Sequence, residues 1–366
     1  MGFFAFKPVM IPQAPSSIRL ALESPDPPLQ LVETPDNPIP SRPTVMKIET
    51  EDGRSLRAAR WAPTARRERG TVCILQGRAE FIEKYFETIA DLRRRGFAVV
   101  AFDWRGQGLS DRAVGDPYKG HVRSFSEYRL DLEAIRANVL EPYMPTPYFG
   151  LAHSMGGGIA LAEARDGRLP FERLVATTPM IALCLIKSPK VAAATALALR
   201  LLGGGPSYVP TGGATSVAKK PFAGNPLTSD SLRYARNAAA AAALGHGAIG
   251  DPTVAWMDSA FRLMRRFADP RFPREIRTPT LIVAAGADPI CATPAIERFA
   301  ARLKAGHAIV LPGARHEILM ERDEIREEFF AAFDAFIPGT PDAGFGSAVE
   351  ELEGGVMDAA VAGGAD

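Results

Sequence analysis

Cysteine and histidine are scarce in this chain, with three of the first and five of the second in 366 residues. Cys73, Cys184 and Cys291 are an odd number with no metal-type spacing, which argues against a disulfide framework and a paired-cysteine metal site. They stand in or near apolar segments and read as buried small hydrophobes, in keeping with a reducing cytoplasm. No H-E-x-x-H occurs, and neither metal nor cofactor is expected. The opening "MGFFAFKPVMIPQAP" lacks a basic n-region, a long apolar h-region and a cleavage site, so no signal peptide is read there. Phe6 stands where a myristoylation signal needs Ser or Thr. Long apolar runs are also missing. The most apolar stretch, "VAAATALALRLLGGG", is too short to span a bilayer and contains Arg200. No internal repeat is present.

What remains is an ordinary globular composition, 46% hydrophobic and 23% charged, with a formal net charge of +1. The charge is unevenly spread. Residues 339–366 hold six acidic side chains and no Lys or Arg, which leaves the rest of the chain at +7. The plain reading is a solvated surface. A mildly basic body also suits an anionic lipid surface.

Residues 1–43 read as an irregular, proline-rich leader. Asp52-Gly53 between two extended runs signals a hairpin. From there apolar strands alternate with helical patterns: "TVCILQG", "FIEKYFETIADLRRRG", "FAVVAFD", "FSEYRLDLEAIRANVL", "YFGLAHS", "MGGGIALAEAR" and "ERLVATTP". This alternation predicts an α/β fold with a mostly parallel central sheet and helices on both faces. The rhythm breaks at Pro179 and resumes with "TPTLIVAAGAD", "HAIVLPGARHE" and "RDEIREEFFAAFDAFI". The expected organisation is a core of 44–179 and 269–337, a helical cap or lid at 180–268, and a disordered acidic tail at 338–366.

Ser154 follows a buried strand and precedes a helix, the setting of a nucleophile elbow. Gly156 supplies the small residue after it, and Ala152 stands two before it in place of the usual glycine. In the chain order serine–acid–histidine, Asp288 at a strand end is the expected acid and His316 the expected base. His307, on the preceding strand, is the alternative base. Asp103 lies before the serine and reads as a loop organiser. His121 and His153 read as structural, and His246 as a surface residue or a wall of the substrate entrance. The oxyanion donors are expected at the backbone N–H groups of Met155 and Arg78. Glu80 is placed to shape that loop, and the Arg78 side chain is expected in solvent.

The segments "LQGRAEFIEKY", "FDWRGQGLSD", "GHVRSFSEYRLDL", "AHSMGG", "AGAD" and "GARHE", in that order, resemble the α/β-hydrolase fold and, within it, the lysophospholipase and monoacylglycerol lipase group. The resemblance covers roughly residues 45–337. Gln76 stands where that group commonly has histidine. The resemblance implies a serine hydrolase that cleaves the ester of a lysophospholipid or monoacylglycerol through an acyl-enzyme, without cofactor. The implied partner is a small-molecule or monomeric lipid substrate, with transient contact at a membrane surface and no nucleic acid. The expected location is cytoplasmic, peripheral at the membrane if that contact occurs. Two alternatives stand beside it: a carboxylesterase or amidase for small soluble substrates, and a catalytically silent binding protein.

Overall fold

The structure, a computed structural model, describes residues 30–338, so the leader up to residue 29 and the tail from residue 339 lie outside the described residues. The chain enters the sheet as the expected hairpin. Strands β1 (Thr44–Glu49) and β2 (Ser55–Trp61) pair antiparallel, with Ile48 opposite Leu56. Gly53 turns between them at φ +73°, a conformation that costs glycine nothing. Residues 30–43 lie against the core: Leu31 is buried, and the Asn37 amide donates to the Glu83 carbonyl at 2.9 Å.

The next five strands are apolar along nearly their whole length, as strands covered on both faces must be. They are β3 (Thr71–Leu75), β4 (Ala98–Phe102), β5 (Tyr148–His153), β6 (Arg173–Thr177) and β7 (Thr280–Ala285), with β8 (Gly306–Leu311) at the edge. The sheet order is β1-β2-β4-β3-β5-β6-β7-β8, with β3 to β8 parallel. Alternate side chains feed two separate cores. Cys73, Leu75, Val100 and Phe102 pack on the face that carries Leu132, Ile159 and Phe299. Val72, Ile74, Val99 and Ala101 pack on the face that carries Ile89, Phe329 and Phe333.

Between β6 and β7 the chain builds the cap helices Pro189–Leu199, Ser231–Leu244 and Val254–Phe267. Asp230 and Thr253 cap the second and third by accepting first-turn N–H groups. The second is tied to the core by ion pairs from Arg233 and Arg236 to Glu87, on the helix Phe86–Arg94. Among the described residues, no helix is long and apolar enough to cross a membrane.

Candidate active site

A parallel sheet collects the loops after its strands at one edge. The loops after β3, β5, β7 and β8 meet there. Ser154 opens the helix Ser154–Arg165 directly after β5, with φ +48°. A non-glycine residue in the left-handed region is uncommon and carries backbone strain. Two more lie beside it: Ala79 at φ +62° in the loop after β3, and Thr178 at φ +41° after β6.

Neighbouring backbone holds the turn in place. A Cβ on Gly156 would stand 2.3 Å from the Leu75 carbonyl oxygen and 2.5 Å from that of Gln76, so the end of β3 lies directly on the turn. On the other side the Met180 N–H donates to the Ser154 carbonyl at 2.9 Å. Ala152 is fully buried within β5, and its methyl group is accommodated there.

The structure brings Ser154, His316 and Asp288 into one hydrogen-bonded line. His316 Nε2 lies 2.9 Å from Ser154 Oγ, and its Nδ1 lies 2.8 Å from Asp288 Oδ2. The other Asp288 oxygen accepts the N–H groups of Ile290 and Cys291 at 2.8 and 3.0 Å, which fixes the carboxylate. Thr178 Oγ1 donates to the His316 carbonyl at 2.9 Å and steadies that loop. His307 is exposed on β8, with its ring 6.2 Å from that of Phe336, and is not part of this line. His246 is exposed in the cap.

His153 is buried against His316, with ring centroids 4.9 Å apart. Burial pushes its pKa down to about 3, so at neutral pH it adds no positive charge beside His316. Its Nδ1 lies 3.1 Å from Thr177 Oγ1.

The loop after β3 is held from within. Glu80 accepts from the Gly77 N–H at 2.5 Å, the Tyr85 hydroxyl at 2.6 Å and Lys84 Nζ at 2.7 Å. Burial opposes the Glu80 charge, but Lys84, His153 and the Tyr85 hydroxyl together outweigh it and the pKa falls to about 2. Lys84 also pairs with Glu317, next to His316, at 2.6 Å, and so joins the loops after β3 and β8. Gln107 clamps the same loop, donating to the Gly77 carbonyl and accepting the Ala79 N–H, each at 3.0 Å. Asp103 is fully buried with Arg57 and Glu83, and also accepts the N–H groups of Ile82 and Leu109.

Two sequence expectations need correction. The Arg78 side chain is not in solvent: it runs under the cap, donating from Nη2 to the Gly250 carbonyl at 2.7 Å and lying over the Trp256 ring at 5.2 Å. Cys184 is exposed, next to Leu183, which forms an isolated bridge with the buried Cys291. Cys291 is buried but adjoins the Ser154 side chain, and its Sγ lies within 4.8 Å of ligand atoms of Asp288 and His316. In that cluster the His316 Nδ1 and the Asp288 carboxylate are already engaged with each other. Gln76, singled out in the sequence because that family group commonly has histidine there, is fully buried with both ends of its side-chain amide unpaired, which the sequence did not signal.

A family model described as serine aminopeptidase, S33 (Hydrolase_4) matches residues 66–323. Lysophospholipase L2 of Escherichia coli (strain K12) is 31% identical over 270 residues, covering 70% of this chain and 76% of that protein. A probable lysophospholipase L2 of Haemophilus influenzae is 28% identical over 276 residues, covering 74% and 84%. A soluble variant of the Saccharomyces cerevisiae monoglyceride lipase, solved with a substrate analog, superposes with a TM-score of 0.65 at 19% identity, covering 82% of this chain and 98% of that one.

Proposed function

This chain belongs to the serine aminopeptidase S33 family, and on that premise we propose that Ser154, His316 and Asp288 carry out its ester hydrolysis. The enzyme is a serine hydrolase of monoacyl lipid esters with an α/β-hydrolase fold. The observation that carries the residue roles is the line Asp288–His316–Ser154 at the start of a buried helix.

Ser154 Oγ attacks the ester carbonyl carbon as His316 Nε2 takes its proton. Asp288 holds the Nδ1–H and stabilises the imidazolium. The first-turn N–H groups of a helix have no intrahelical acceptor, so the Met155 amide is free to face the developing oxyanion. The Arg78 amide, on the loop packed against the turn, is the second donor. His316 then returns the proton to the leaving alcohol oxygen as the C–O bond breaks. Water, deprotonated by the same imidazole, releases the fatty acid from Ser154.

The acyl chain has a place to lie. An apolar cavity of about 860 Å³ opens between the cap helices and the helix Thr293–Ala300, lined by Ile186, Leu197, Phe261, Met264 and Phe299. None of Ser154, Asp288 and His316 lines it; its nearest link to them is Ile181, which follows Met180, whose N–H donates to the Ser154 carbonyl. Each buried methylene contributes up to about 0.8 kcal/mol. The outward cap face supports contact with a lipid surface: Leu201 and Leu202 are 78% and 85% exposed. No acidic residue occurs between Glu172 and Asp230, where Lys187, Lys190, Arg200, Lys219 and Lys220 stand.

The test is a hydrolysis panel of lysophospholipids, monoacylglycerols and short soluble esters, kept below micelle formation. The expected result is a specificity constant that rises with acyl length. A profile that falls beyond short chains selects the small-ester reading, and no turnover of any ester selects the binding-protein reading.

A further inference from the structure

Two arginines beside this site are treated differently: Arg57 is fully buried, whereas Arg78 is half-buried. Arg57 takes both Glu83 and Asp103 as counter-ions, each at 2.7 Å. Among the described residues Arg78 has no ion pair. Its Nη2 is used on the Gly250 carbonyl, its Cζ lies 5.2 Å from the Trp256 ring centroid, and its Nε is buried without a hydrogen-bond partner. The nearby Asp251 carboxylate is committed to the Gly213 N–H at 3.0 Å. Burial brings the Arg78 pKa down to about 10, which leaves it charged at neutral pH. The charge is only partly desolvated and the nearby Asp251 offsets some of that, yet the guanidinium keeps donor capacity that an incoming anion can take up.

Position limits what the anion is. Arg78 follows Gly77 on the loop whose end presses on Gly156, so its backbone is at the nucleophile turn while its guanidinium reaches the cap. An ester held with its carbonyl oxygen on the Arg78 amide has its alcohol part within reach of the Arg78 side chain. In a lysophospholipid that alcohol part is a glycerol with a phosphate a few bonds from the ester. A guanidinium held by the Gly250 carbonyl beside an indole is a positioned, charged donor for a phosphate oxygen. The geometry points to the Arg78 side chain as the receptor for that phosphate, selecting lysophospholipids over neutral monoacylglycerols of the same chain length. This rests on the ester-hydrolase reading above.

The experiment compares decanoyl lysophosphatidylglycerol with monodecanoylglycerol for wild type, Arg78→Gln and Arg78→Lys, below micelle formation. The ratio of the two kcat/KM values is expected to fall about tenfold or more in Arg78→Gln, mainly through KM, the worth of one charge-assisted hydrogen bond. Arg78→Lys, which keeps the charge, should recover part of it. An equal ratio in all three proteins overturns the proposal, whatever happens to the absolute rates. A second measurement needs no variant. Glycerol 3-phosphate should compete with a short neutral ester for the wild-type enzyme where glycerol does not, and a lack of competition overturns the proposal. Failure of the lipid-ester reading is a separate result, in which neither lipid is turned over while the short ester still is.

Discussion

Gly156 lies so close to Leu75 that a Cβ would meet its carbonyl oxygen at 2.3 Å. That contact joins the turn bearing Ser154 to the loop after β3, and neither side yields easily because both are backbone. Gly156→Ala should therefore separate the two. Overpacking costs typically about 1–3 kcal/mol, and a displacement near 1 Å costs about a hundredfold in rate. Steady-state kinetics and urea unfolding of the variant check both. Wild-type kcat/KM in Gly156→Ala would mean that the two loops need not touch.

Arg57 pairs with both Glu83 and Asp103, and all three side chains are fully buried. Arg57→Met should lose about 3–5 kcal/mol, since two carboxylates stay behind without a counter-charge. The triple replacement with apolar residues should recover much of this. Chemical denaturation of the single and triple variants decides. A loss below about 1 kcal/mol in the single variant would show that the carboxylates find other partners.

Glu87 holds the cap helix to the core through Arg233 and Arg236. Burial opposes its charge, yet Arg233, Arg326 and Arg236 hold its pKa down to about 2 from the ordinary 4.5. A folded-state pKa below the unfolded one contributes stability that is complete above the unfolded value and is lost as pH falls through the folded one. Glu87→Gln should thus be less stable than wild type by about 1 to 2 kcal/mol near neutral pH, after allowing for solvent screening. The difference should shrink below about pH 4.5 and vanish toward pH 2. Urea midpoints of the two proteins across that window measure it, and a gap independent of pH would contradict the assignment to this carboxylate.

The sheet was readable from the chain because its strands announce themselves as short apolar runs at regular intervals, and Asp52-Gly53 gives the hairpin away. Ser154, Asp288 and His316 were readable because each follows a strand, where a parallel sheet gathers its loops. The helix Val254–Phe267 was not singled out within the inserted segment, although it buries Trp256, Phe261, Leu263 and Phe267 and exposes Arg265 and Arg266. Arg78 was misread for a physical reason: a charged residue in a loop belongs in water unless a distant segment covers it, and Gly250 and Trp256 lie more than 170 residues further on. Cys184 was misread because an apolar neighbourhood in sequence is not burial. The unpaired Gln76 amide and the Lys84 link between Glu80 and Glu317 are likewise products of tertiary contact alone.

The most direct test is the acyl-enzyme itself. The Asp288→Asn protein, in which deacylation is slow, is mixed with a lysophospholipid, quenched in acid and digested for mass spectrometry. The account predicts the acyl mass on the peptide that contains Ser154, no such adduct in Ser154→Ala, and a turnover loss of about 10⁶-fold in Ser154→Ala as the triad acts as a unit. An acyl group on another residue, or near-normal hydrolysis by Ser154→Ala, would contradict it.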